Sequence, residues 1–281
     1  SMRAMPDLSE LIPRKRYLMG LIPGAQLWRV PDLMRGRVWA QTMHVTVSVN
    51  RDDYPLRLIA EYGFKPDRLK VIYNGVEIPK HLPTTEEMSA VRERFGIEPE
   101  DFLVCYLGRL SQEKGVNYLL EALPECPAQV RLLVIGEGPD EKRLKDLCQE
   151  LAMTERVIFA GFHAQPEPIV AACNVAVVPS IVNEAFGRSV VEALAYQIPV
   201  VASRTGGMAE LFVDKKHGLY VNPGDSAELS EAITKLALNP SHAHEMGIEG
   251  RKWVREHYSM ERVALAYFNL YFPRLQSTES K

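Results

Sequence analysis

From Phe102 to Leu238 the chain alternates between short apolar runs rich in β-branched residues and longer runs with helical periodicity. Phe102–Leu107, Arg131–Ile135, Val157–Phe159, Val175–Val178 and Val200–Ala202 read as strands. Tyr118–Leu123, Glu141–Leu151, Pro168–Ala172, Arg188–Tyr196 and Ala227–Leu238 read as helices. Strands and helices that alternate at this spacing build βαβ units, and βαβ units build a parallel sheet. The fold class is therefore α/β, with residues 101–258 as a doubly wound domain. Two further helices follow, around Ser241–His257 and Met260–Leu275. Upstream, His44–Val49 and Lys70–Tyr73 read as strands, with helices over Arg51–Tyr62 and Glu86–Phe95.

Within this pattern the stretch Ser180 to Val200 carries the densest chemistry. An apolar run, Asn174 to Pro179, leads into a polar loop and Gly187. A helix follows with Val190, Val191, Leu194 and Ala195 on one face, and then a second apolar run. The loop thus lies at the carboxyl end of a strand, where open α/β sheets bind ligands. Glu184 stands in the loop and Glu192 in the helix, with seven residues between them. Gly187 lets backbone approach a ligand closely, and the free N–H groups of the first helical turn suit an anion. Amide donors match phosphate and carboxylate acceptors match hydroxyls, and a sugar nucleotide carries both. Taken alone, two acids at this spacing are also what a helix start favours through its dipole.

The other strand ends add to it. The first ends in Gly108-Arg109-Leu110-Ser111-Gln112-Glu113-Lys114-Gly115. There Arg109 can grip a diphosphate bidentately and Lys114 adds a point charge. It is not a Walker loop, because G-K-[ST] is missing. The second ends in Gly136-Glu137-Gly138-Pro139, which lacks the third glycine of a dinucleotide fingerprint and by itself is only a turn. The third ends in Phe159-Ala160-Gly161-Phe162, where Phe162 either stacks on a ligand or packs in the core. Further along come S-R-T-G-G-M-A-E from Ser203 and Gly218-Leu219-Tyr220-Val221 with Pro223-Gly224-Asp225.

In this order, from about Val47 to Leu238, these segments resemble the group 1 glycosyltransferases, the retaining E-x7-E family of GT-B fold. The resemblance includes the upstream S-V-N and K-V-I-Y-N-G-V runs. It implies a Rossmann-like C-terminal lobe that binds a nucleoside-diphosphate sugar and transfers the sugar to a glycan or lipid acceptor. On the family pattern Arg109 and Lys114 hold the diphosphate and stabilise its departure. Glu184 and the amides of Ala185, Phe186 and Gly187 position the sugar hydroxyls, and Glu192 accepts from the ribose. Gly108, Gly136 and Gly138 line the nucleotide cleft, Phe162 lies near the base, and Ser189 joins the donor-binding set. Arg188 either touches the donor phosphate or points to solvent.

The resemblance also sets the expected domains. Residues 1–75 would be part of the N-terminal, acceptor lobe and 76–100 a linker and helix. Residues 101–258 would be the donor-binding domain and 259–281 a return helix and tail. A full acceptor lobe needs about 150–200 residues, within the usual domain range. That shortfall leaves several alternatives: a truncated enzyme, a non-catalytic nucleotide-sugar-binding subunit with a separate N-lobe partner chain, or a homo-oligomer. A GT-B relative such as an epimerase would need acid–base residues that are not found.

Charge and cysteine usage bound the rest. The net charge of −3 argues against a nucleic-acid partner. The first 75 residues hold 12 lysines and arginines against 7 acids. That leaves peripheral contact with anionic lipid open beside an ordinary mixed surface. Cys105, Cys126, Cys148 and Cys173 form no C-x-x-C, so they read as reduced thiols of a cytoplasmic protein. Ser1-Met2 reads as an appended dipeptide, and no signal peptide or membrane-length apolar run is visible. No metal and no cofactor are expected: there is no D-x-D motif, and His242-x-His244 makes no ligand set.

Overall fold

In the computed structural model, which describes residues 46–48, 63 and 65–271, the apolar runs of the sequence become the strands of one sheet. Phe102–Leu107 (β3), Val130–Ile135 (β4), Val157–Gly161 (β5), Val175–Val178 (β6), Val200–Ser203 (β7) and Gly218–Val221 (β8) lie in the order β5-β4-β3-β6-β7-β8. Every pairing is parallel. β6 and β7 are buried along their whole length. A parallel sheet is covered on both faces, which is why its strands read as unbroken apolar runs.

Successive strand residues point to opposite faces, so the sheet has two apolar layers. On one, Phe102, Val104 and Tyr106 of β3 pack with Leu119 and Leu120 of Val116–Ala122 (α2), Leu144 of Glu141–Glu150 (α3) and Ile233 of Ser226–Ala237 (α6). On the other, Leu103 and Cys105 pack with Ile169 of Glu167–Ala171 (α4), Val190 and Leu194 of Arg188–Ala195 (α5) and Val254 of Pro240–Tyr258 (α7). All four cysteines are buried thiols.

The strand order reverses between β3 and β6. The chain moves outward from β3 through β4 to β5, then returns to place β6 on the other side of β3. The loops leaving β3 and β6 therefore diverge and open a crevice at the carboxyl ends of the strands.

Val71 to Tyr271 belong to one compact unit. In it Thr85–Arg94 (α1) starts at a capping box between Thr84 and Glu87. The Arg92 guanidinium ties it to the sheet through the carbonyls of Asp101 at 2.6 Å and Glu98 at 2.9 Å. The segment before α1 is fastened at two points. Val76 bonds across to Tyr258 and Met260, at the break between α7 and Met260–Tyr271 (α8). Arg251, buried on α7, donates both to the carbonyl of Ala195 at the end of α5 and to that of Pro79. Thr46–Ser48 (β1) and Leu69–Val71 (β2) form a separate two-stranded sheet.

The sequence expectation missed β8, read only as a motif segment. The helix expected over Arg51–Tyr62, the strand residues flanking β1, and the extension of α8 past Tyr271 lie outside the described residues.

Candidate functional site

A cleft of about 650 Å³ opens at the carboxyl ends of β3, β4 and β6. Its walls are Tyr106–Arg109 and Lys114 after β3, Ile135–Glu137 after β4, and Phe162, His163 and Pro166 after β5. Val178, Ser180 and Glu184 after β6 complete it, with Gly187, Arg188, Ser189 and Glu192 at the start of α5.

The loop after β3 is stitched to its neighbours by backbone. Gly108 N–H donates to Ile135, Leu110 N–H to Glu137, and Ile181 N–H to the carbonyl of Glu113 at 3.0 Å. The phenol of Tyr106, buried beneath the turn, donates to the carbonyl of Arg109 at 2.7 Å. Burial first, then the nearby Glu184 and Glu113 carboxylates, push that phenol well above its ordinary pKa, so it stays a neutral donor. Ser111 donates to the Glu113 carboxylate at 2.6 Å, and this bond holds Glu113 below the usual carboxylate range.

Across the crevice stands a pair of carboxylates, each matched to a cation. Lys114 reaches from the β3 loop and forms an ion pair with Glu184 Oε1. The hydroxyl of Ser180 donates to the same oxygen at 2.8 Å. On α5, Arg188 grips Glu192 Oε1 through Nη2 at 2.7 Å and Nε at 3.1 Å. Arg109 is exposed at the mouth. Chemically, the cleft holds cations for a polyanion and carboxylates for hydroxyls within one enclosure.

The structure brings Gly108, Arg109, Lys114, Gly136, Phe162, Glu184, Gly187, Arg188, Ser189 and Glu192 into the cleft wall. It does not bring Gly138, Ala185 or Phe186 there. Gly138 is packed under the carbonyl of Leu110. Ala185 lies exposed beside the wall. Phe186 is 4% exposed and turns into the core, its ring 5.8 Å from that of Tyr258 and 6.4 Å from that of Tyr73. Of the two readings of Phe162, core packing falls, because the ring is 67% exposed at the rim. Arg188 lines the cleft with its side chain 75% exposed to solvent, and pairs with Glu192. Ser180, Tyr106, Glu137 and His163 were not singled out from the sequence, and their only signal is position at a strand's carboxyl end. Among the described residues no group of three or more His, Cys, Asp or Glu could hold a metal ion. No described helix is long and apolar enough to cross a membrane.

Comparison with known proteins agrees with the fold. Residues 87–253 match the family described as glycosyl transferases group 1. An uncharacterised glycosyltransferase of Methanocaldococcus jannaschii is 29% identical over 212 residues, 73% of this chain and 54% of the relative. A GDP-mannose-dependent alpha-(1-6)-phosphatidylinositol monomannoside mannosyltransferase of Mycolicibacterium smegmatis is 32% identical over 195 residues, 66% of this chain and 51% of the relative. The chain thus spans about half the length of these curated relatives. Among solved structures, Anabaena HepE in complex with UDP and glucose superposes with a TM-score of 0.78 at 26% identity, over 85% of this chain and 67% of that one. The same protein with UDP-glucose gives 0.76 at 27% identity, over 84% and 66%.

Proposed function

The chain belongs to the group 1 glycosyl transferases, and we propose that its cleft binds a nucleoside-diphosphate sugar and presents the sugar for transfer with retention of configuration. The observation that carries this is the placement of Lys114, Arg188, Glu184 and Glu192 in one cleft at the sheet's reversal point. A diphosphate and a set of sugar hydroxyls need that combination, and few other ligands do.

In this reading Arg109, Lys114 and Arg188 surround the diphosphate. Stabilising the charge that develops on the leaving phosphate is the electrostatic part of the catalysis. Glu192 accepts from the ribose hydroxyls, and Glu184 with the start of α5 orients the sugar. Phe162 and His163 at the rim flank the base. The three cations serve in place of a divalent ion, so donor binding should not require one. Retention rests on the E-x7-E resemblance. HepE, which is similar, was solved with UDP-glucose, and the similar mycobacterial enzyme is GDP-mannose-dependent. Both nucleotides are therefore candidates. The acceptor, a sugar or a lipid, would be held by chain that corresponds to the other half of the relatives. Holding donor and acceptor together lowers the barrier by about 7–11 kcal/mol through positioning.

The test is isothermal titration with UDP, GDP and their sugars, in EDTA and again with magnesium. Binding of at least one nucleotide in EDTA is expected. If none binds, the assignment of the cleft is wrong; if binding appears only with magnesium, the role given to the cations is wrong.

A further inference from the structure

We propose that Ser180 is a positioning residue for Glu184, needed at the moment when Lys114 is drawn to the donor phosphate. The proposal rests on the reading of the cleft as a nucleotide-sugar site. Ser180 stands two residues past the end of β6 and is 1% exposed. A buried hydroxyl must be satisfied, and this one donates to Glu184 Oε1.

The backbone of Glu184 is already fixed. Its carbonyl accepts from Gly207 N–H at 2.7 Å. Its neighbour Asn183 accepts from the Thr205 hydroxyl at 2.8 Å. What remains free is the side chain, and two groups set it: Lys114 and Ser180, both on Oε1. That leaves Oε2 as the oxygen turned toward a sugar hydroxyl.

The two holders differ in what a donor does to them. A diphosphate carries more negative charge than one carboxylate, so it competes with Glu184 for the ammonium of Lys114. It competes far less for the Ser180 hydroxyl, which lines the cleft but is only 1% exposed and already spent on Glu184. Once the phosphates are seated, Ser180 alone keeps Glu184 in the rotamer that meets the sugar. Ser180 thereby acts on the sugar end of the donor and not on the nucleotide end.

That asymmetry makes the test. Titrations would use UDP against UDP-glucose and GDP against GDP-mannose. Ser180→Ala should leave affinity for the nucleotide within about twofold. It should weaken the matching nucleotide sugar about tenfold to a hundredfold, as expected for a lost bond to a charged group. Ser180→Thr, which keeps the hydroxyl, should restore most of it. In a double-mutant cycle, Glu184→Gln should cost little more in the Ser180→Ala background, because the two act as a unit. A merely structural serine would weaken nucleotide and nucleotide sugar alike, and that result overturns the proposal. So does an unchanged sugar-nucleotide affinity in Ser180→Ala, or additive losses in the cycle. If the parent protein binds none of the four, the site reading itself falls and this one with it.

Discussion

The loop after β3 and the loop after β6 both end on a glycine in the left-handed region that starts the next helix. These are Gly115 at φ 68° before α2 and Gly187 at φ 80° before α5. What stands against each glycine differs. A Cβ on Gly115 would overlap the backbone carbonyl of Pro179, which belongs to the opposite loop. A Cβ on Gly187 would meet side chains, Met208 Cγ at 2.5 Å and Leu211 Cδ1 at 3.4 Å. Their ion pairs differ in the same way. Lys114 reaches across the crevice to Glu184, seventy residues away, whereas Arg188 and Glu192 pair within one turn of α5. The cationic loop is thus located by the carboxylate loop, backbone against backbone, while α5 is seated on buried side chains. The cation that pairs across the crevice is held by the part of the site that can yield least.

The difference can be broken by substitution. The largest effect should come from Gly115→Ala, which adds a backbone overlap to the roughly 1–2 kcal/mol that a non-glycine residue loses in the left-handed region. The expected loss of stability is about 3–5 kcal/mol, with nucleotide binding abolished. Urea unfolding and calorimetry read both. Next, Glu192→Gln should weaken nucleotide binding about tenfold, since it loses part of its acceptor capacity toward the ribose. Glu184→Gln should leave nucleotide binding nearly unchanged and weaken the nucleotide sugar, so equal effects of the two changes would show that the carboxylates do not divide the donor between them.

Gly187→Ala should cost less than Gly115→Ala but at least the roughly 1–2 kcal/mol of left-handed strain, because a buried side chain rather than a backbone carbonyl must shift. A loss equal to that of Gly115→Ala would end the distinction between backbone and side-chain support. The least effect on the cleft is expected from a change outside both loops. His217 is buried against Trp253, its Nδ1 accepting from Val213 N–H. Burial first, then Lys216, push its pKa down to about 4 from 6.5. Its folded pKa lies below its unfolded one, so stability is full above pH 6.5 and is lost as pH falls from there toward 4. His217→Phe should flatten that slope in thermal melts, while the gap between the two glycine variants stays as it was.

The sheet was readable from the sequence because burial on both faces leaves unbroken apolar runs. β3 and β6 begin and end where Phe102–Leu107 and Val175–Val178 indicate. β8 was not, since four residues opening on Gly218 carry no such run. Arg109, Lys114, Glu184 and Glu192 are readable one by one, from residue type and position after a strand end or at a helix start. Their pairing is not, because Lys114 and Glu184 meet only once β3 and β6 are adjacent. Ser180 carries no signal of its own in the sequence for the same reason. Phe186 was legible only as backbone: the family pattern uses its amide, and the same turn aims the ring at Tyr258.

The balance of charges in the cleft has a kinetic consequence. Its wall carries Arg109, Lys114 and Arg188 against Glu137, Glu184 and Glu192, formally balanced. A balanced site casts little field beyond a Debye length, so an anionic ligand is not steered toward it from afar. Association should be ordinary in rate and nearly indifferent to ionic strength. Selection among ligands then falls to residence time: a molecule that rearranges both ion pairs stays, and one that rearranges neither leaves as readily as it came.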